Sequence, residues 1–124
     1  MVKILVIDDE LNLQRLIKAN LAARGYQVLA AVDGATGLKL AAQEMPDLIM
    51  LDLMLPDILG WDVLASLKEN PVTKNIPVVI MTALDEKSPQ IKGRLTGRAV
   101  YLDKPFGVEE LLAALDSIIN KKVP

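Results

Sequence analysis

Cysteine and histidine are both absent from the 124-residue chain. Without cysteine there is no disulfide, no thiolate chemistry and no cysteine-based zinc site. Without histidine, the commonest general base and the commonest transition-metal ligand are gone. Any acid–base or metal chemistry must run on carboxylates, hydroxyls and lysines. A charge excess is also lacking: the net charge of -2 is too small to suggest nucleic-acid binding. No apolar stretch reaches the length of a membrane span. The opening "MVKILVIDDE" turns acidic after a few apolar residues, so it does not read as a signal peptide. What is present is a 52% hydrophobic composition in a length that suits one domain. Such a chain can fold around a single core without staples.

Short apolar runs alternate with longer amphipathic ones. "VKILVI" (Val2 to Ile7) is rich in β-branched residues and ends abruptly at Asp8-Asp9. Glu10 to Arg24 carries Leu13, Leu16, Ile17 and Leu21 at helical spacing and is closed by Gly25. "QVLAA" is a second strand, and Ala35 to Glu44 a second helix with Leu38, Ala41 and Ala42 facing inward. "DLIMLD" (Asp47 to Asp52) is a continuous apolar strand, the kind buried on both faces. Trp61 to Glu69 is the third helix, "PVVIMT" the fourth strand, Val100 to Leu102 the fifth, and Gly107 to Asn120 the strongest helix. Trp61, the only tryptophan, reads as a helix-packing residue. This alternation predicts a small doubly wound α/β fold: a five-stranded parallel sheet with helices on both faces.

Functional groups in such sheets gather at the carboxyl ends of the strands. Here those ends carry Asp8-Asp9, Asp52, Thr82 and Lys104-Pro105. Three carboxylates close together repel one another. A hard cation such as Mg²⁺, which takes oxygen ligands, resolves the repulsion, and softer metals lack their donors here. Asp8, Asp9 and Asp52 therefore read as a Mg²⁺ site. A carboxylate can also attack phosphorus to give an aspartyl phosphate. Lys104 would then neutralise the transferring group, and Thr82 would donate a hydrogen bond to one of its oxygens. Taken singly, each feature has a plainer reading. Asp8-Asp9 could cap the first helix, Asp52 could be an ordinary loop carboxylate, and Tyr101 a buried strand aromatic.

In combination, "VIDDE" (Ile7 to Glu10), "LDLMLPDILG" (Leu51 to Gly60), "VIMTA" (Val79 to Ala83) and "YLDKPF" (Tyr101 to Phe106) stand in order, each at a predicted strand end. The chain resembles the receiver domain of two-component response regulators over essentially its whole length. The resemblance implies a CheY-like, flavodoxin-like fold with strand order 2-1-3-4-5 and five flanking helices. It implies a cytoplasmic signalling switch of a phosphorelay, not an enzyme acting on external substrates. Asp52 would be the phosphoacceptor, taking a phosphoryl group from a histidine kinase or phosphotransfer protein. Asp9, Asp52 and the backbone carbonyl of Met54 would bind Mg²⁺ directly, with Asp8 acting mostly through water. Lys104 would contact the phosphoryl group, and its bond to Pro105 would be cis, as X–Pro bonds can be. Thr82 and Tyr101 would form the switch pair, read at the face of the fourth helix, fifth strand and fifth helix. An output domain or downstream protein, or a second copy after phosphorylation, would meet that face. The receiver would span residues 1–121, with 122–124 a tail or the start of a linker. Met54 and Leu84 occupy positions that line the path of the attacking water in this family. Both are apolar, so slow self-dephosphorylation is expected.

One segment departs from the pattern. In "DEKSPQIKGRLTGRAVYLDKPF", Pro89 suits only a helix's first turn, and Gly93 weakens any helix that continues through it. The fourth helix is expected to be short, frayed or displaced. From Lys87 to Arg98 there are four cations, Lys87, Lys92, Arg94 and Arg98, and no acids, so that run reads either as a surface for an acidic partner or as a solvated basic loop. Other functions remain weaker readings. An aspartate-nucleophile phosphohydrolase would want a second acid where Met54 stands. A flavin-binding protein would not place Asp8-Asp9-Glu10 against a phosphate. A receiver-like module that is never phosphorylated would not need the intact acidic cluster.

Overall fold

The structure is a computed structural model that describes residues 1–83 and 100–119. Five strands form its frame: β1 (Lys3–Ile7), β2 (Gln27–Ala31), β3 (Leu48–Asp52), β4 (Val78–Thr82) and β5 (Val100–Asp103). All pairings are parallel and the order is β2-β1-β3-β4-β5. Helices α1 (Leu11–Ala22), α2 (Gly34–Glu44) and α3 (Gly60–Glu69) and a C-terminal helix (Val108–Ile119) cover it. This is the topology implied by the resemblance. The expected fourth helix, Leu84, the basic segment from Lys87 to Arg98 and the 122–124 tail lie outside the described residues.

The alternation of strand side chains builds two cores. Ile4, Val6, Met50, Val79, Met81 and Leu102 face α1 and the C-terminal helix, meeting Ile17, Leu21, Leu111 and Leu115. Leu5, Ile7, Ile49, Leu51 and Ile80 face the other way and meet Ala41, Val63 and Leu67 on α2 and α3. Every residue of β3 is buried, which explains the unbroken apolar run. Each fully buried leucine, isoleucine or valine contributes roughly 1.5–3 kcal/mol relative to exposure. On β5 the same period puts Leu102 into the first core, while Tyr101 is half-buried and packs against the second.

Helix α1 corrects one sequence expectation. Helical spacing directs Leu16 inward, but it is 45% exposed, whereas Gln14 is buried. The apolar period runs through Leu16 because a glutamine carries no hydrophobic signal, yet the inward stripe is Leu13, Gln14, Ile17 and Leu21. Asp8 and Asp9 do not cap this helix either: its N-cap is Glu10, with no side-chain capping bond.

The crossing point of the sheet lies between β1 and β3, where the chain leaves β2 on one side and resumes on the other. The carboxyl ends of these two central strands open the crevice expected at such a switch point.

Candidate functional site

Asp52 ends β3, in register with Met81 of β4. Asp8 directly follows β1 and still donates its amide to the Ala31 carbonyl at 3.0 Å. Asp8 is 0% and Asp52 4% exposed, so two carboxylates sit at the bottom of the crevice with little water. Buried charges of one sign need partners. The Lys104 ammonium supplies one, lying 2.8 Å from Asp8 Oδ2 and 3.2 Å from Asp52 Oδ2. It also reaches Glu10 Oε1 at 3.3 Å, a pair on the exposed rim. Exposed pairs of that kind contribute about 0–1 kcal/mol.

The remaining carboxylate oxygens are held by backbone. Asp8 Oδ1 accepts from the Glu10 amide at 2.8 Å, and Asp52 Oδ1 from the Met54 amide at 3.0 Å. Burial pushes the Asp52 carboxyl above its ordinary value, and the Asp8 charge adds to that, against the Met54 amide and Lys104, which lower it. For Lys104, burial favours the neutral amine, but the Asp8 hydrogen bond and the Asp52 and Asp8 charges outweigh it and raise its pKa.

Asp9 is exposed at the rim. Its carboxylate and those of Asp8 and Asp52 nevertheless bring ligand atoms within 4.8 Å of one another. This all-oxygen donor set, more acidic than Lys104 alone can neutralise, fits a hard divalent cation.

Thr82 closes β4 and is fully buried; its carbonyl accepts from the Lys104 amide at 2.8 Å. That bond ties the β5 end to the β4 end and fixes where the lysine starts. The Lys104–Pro105 peptide bond is cis. Tyr101 pairs in register with Ile80, back along β5 from this end.

The loop after β3 folds back on itself. Met54 and Leu59 form an antiparallel bridge, and the Gly60 amide donates to the Leu53 carbonyl at 2.9 Å. A Cβ at Gly60 would collide with Leu53 Cα and lie 2.6 Å from the Asp52 carbonyl oxygen, so glycine is what lets α3 start this close to the site. Met54 and Leu59 are 63% and 57% exposed, an apolar lip beside the acidic crevice. On the opposite side, Leu13, Leu16, Ala83, Pro105 and Phe106 line a shallow groove of about 410 Å³ bounded by Glu10 and Lys104.

Sequence reasoning misses three residues here. Glu10 reads as a helix start and as part of an acidic run, with nothing to pair it with Lys104, which its side chain reaches. Gln14 donates through Nε2 to the carbonyls of Val6, Asp8 and Ala31 at 3.0–3.1 Å. Asp57 accepts from the amides that begin α2, a contact across the site loop that no local pattern announces.

The comparisons with known proteins converge. The family model for the response regulator receiver domain matches residues 4–116. The chain is 45% identical over 121 residues to the DNA-binding dual master transcriptional regulator RpaA of Synechocystis, covering 98% of this chain and 50% of that protein. It is 43% identical over 122 residues to the response regulator PleD of Caulobacter vibrioides, covering 98% of this chain and 27% of PleD. The chain therefore spans half or less of the length of these relatives. Among solved structures, it matches the receiver domain of a sensor histidine kinase from Pseudomonas aeruginosa with a TM-score of 0.85 and 26% identity, over 96% of this chain and 98% of that one. That structure has a magnesium ion coordinated in its active-site cleft. With its fold and nearly its whole length matched, the chain belongs to the receiver-domain family of two-component response regulators.

Proposed function

We propose that this domain is a phosphorylation switch in which Asp52 accepts a phosphoryl group from the phosphohistidine of a histidine kinase or phosphotransfer protein. The observation that carries the reading is the pairing of a buried strand-end carboxylate with one ammonium, Asp52 Oδ2 to Lys104 Nζ at 3.2 Å, beside two further carboxylates. One Asp52 oxygen attacks phosphorus, the bond from phosphorus to the donor imidazole breaks, and an aspartyl phosphate results. The Met54 amide holds Asp52 in position for attack. Lys104, already directed at Asp52, balances charge on the phosphoryl oxygens, and the Thr82 hydroxyl donates a hydrogen bond to one of them. Asp9, Asp52 and the Met54 carbonyl would hold Mg²⁺, with Asp8 behind through water. The ion supplies charge neutralisation for the incoming phosphoryl group.

The new charge on Asp52 biases a two-state equilibrium of Thr82 and the Tyr101 ring. Its readout is the face containing β5 and the C-terminal helix, where an output domain, a downstream protein or a second copy would bind. Residues 1–121 act as the phosphoacceptor unit and 122–124 as a tail or the start of a linker. Water has no polar group at Met54 to orient it, so the phosphoryl group is released slowly.

The test is intact mass after incubation with acetyl phosphate, with and without Mg²⁺, for wild type and Asp52→Asn. One Mg²⁺-dependent phosphoryl adduct, lost in the variant, is expected. No adduct on a folded wild type would favour an interaction module that is never phosphorylated.

A further inference from the structure

Along an extended strand, neighbouring side chains leave on opposite faces. Asp8 and Asp9 lie just past β1, which ends at Ile7, and no longer alternate: their carboxylates and that of Asp52 converge within 4.8 Å. The backbone must therefore turn between them. The Asp8 amide is still in the sheet, bonded to Ala31, but the Asp8 carbonyl has left it. That carbonyl is held by Gln14 Nε2 at 3.0 Å.

We infer that Gln14 is a positioning residue for the acidic site: by gripping the Asp8 carbonyl it fixes the Asp8–Asp9 peptide and so aims the Asp9 carboxylate into the cleft shared with Asp8 and Asp52. The inference rests on the proposed metal-dependent reading of that cleft.

Three facts support the role. The same Nε2 also lies within hydrogen-bond distance of the Val6 and Ala31 carbonyls, at 3.1 and 3.0 Å, so its two N–H groups are shared among three carbonyls and the clamp is anchored on both β1 and β2. The amide orientation is unambiguous, since the reverse would set Oε1 against three carbonyl oxygens. Finally, Gln14 is costly for mere packing. It is 6% exposed, and its Oε1 is buried without a hydrogen-bond partner among the described residues. An unsatisfied buried acceptor costs about 1–3 kcal/mol. A leucine or methionine would fill the inward position without that cost but would leave the turned peptide ungripped.

The test compares Mg²⁺ binding, not phosphorylation, in wild type, Gln14→Met and Ile17→Val. Ile17 lies on the same buried face of α1, so its truncation lowers stability by a core effect alone. MgCl₂ titration by calorimetry gives the affinity, and the Mg²⁺-dependent rise in urea midpoint gives an independent measure. Gln14→Met is expected to weaken Mg²⁺ binding about tenfold or more, as loss of outer support does at metal sites, and to shrink the Mg²⁺-linked rise. Ile17→Val should keep the wild-type affinity. If Gln14→Met does not fold, Gln14→Asn, which withdraws the amide by one methylene, should show the same loss. Wild-type affinity in a folded Gln14 variant, or an equal loss in Ile17→Val, would overturn the positioning role. Absence of Mg²⁺ binding in wild type itself would instead remove the metal reading, and this inference with it.

Discussion

The carboxylate of Asp57 receives the amides of Gly34 at 2.8 Å and Ala35 at 3.0 Å, binding the loop after β3 to the first turn of α2. Asp33 takes the next amide, that of Thr36, at 2.7 Å. Together the two aspartates satisfy the exposed N–H groups that begin the helix and place negative charge at its positive end. The loop carrying Asp52's neighbours is thus braced against a second helix as well as by its own turn.

Asp57 should therefore stabilise the fold in a pH-dependent way. The Gly34 and Ala35 amides hold its carboxyl below the usual range. A carboxylate with a depressed native pKa contributes stability above its unfolded value, and that contribution fades as pH falls through the native one. Urea unfolding of Asp57→Asn should show a lower midpoint than wild type at neutral pH, with the gap closing below about pH 4. A gap unchanged down to strong acid would contradict the charged cap.

Asp52 has the opposite sign. Burial raises its native pKa, so ionisation costs stability as pH rises through the unfolded value and up to the native one. Asp52→Asn should be at least as stable as wild type at neutral pH without Mg²⁺, with the advantage disappearing below about pH 4. The site would then be a place where stability is surrendered for reactivity. A clearly destabilised Asp52→Asn would show that the Lys104 pairing outweighs the burial.

Gly60→Ala tests the loop's closeness to the site. The added methyl meets backbone atoms of Leu53 and Asp52, which cannot rotate away as a side chain could. Overpacking of this kind costs about 1–3 kcal/mol, and displacement of the Asp52 backbone should also slow phosphorylation. Chemical denaturation and acetyl-phosphate labelling measure the two effects; a variant normal in both would mean the loop relaxes freely.

Met54 should set the lifetime of the phosphorylated state. It is exposed beside Asp52 and offers no group to orient water. Met54→Asn or Met54→Glu should shorten the half-life by about tenfold, a fraction of what positioned proton acceptors provide elsewhere. Loss of the adduct, tracked by mass against time, measures it, and an unchanged half-life would place control outside this position.

The sheet and its four strand-end motifs are legible because they obey local rules: a buried parallel strand is an apolar run, and its end is where polarity resumes. Asp8, Asp9, Asp52, Thr82 and Lys104 can be grouped from that pattern alone. Gln14, Glu10 and Asp57 cannot. Gln14 is polar in an apolar stripe and acts through carbonyls that sequence does not display. Asp57 acts on amides 23 and 22 residues away. Leu16 is misplaced for the same reason, since hydrophobic periodicity assigns the inward position to whichever candidate is apolar.

The most direct test of the central claim locates the phosphoryl group. Borohydride reduces an acyl phosphate to an alcohol, turning a phosphorylated aspartate into homoserine, and peptide mass spectrometry finds the altered residue. After treatment with acetyl phosphate and Mg²⁺, homoserine is predicted at position 52 and nowhere else. Homoserine at position 8 or 9, or at no aspartate in a protein that is folded, would contradict the account.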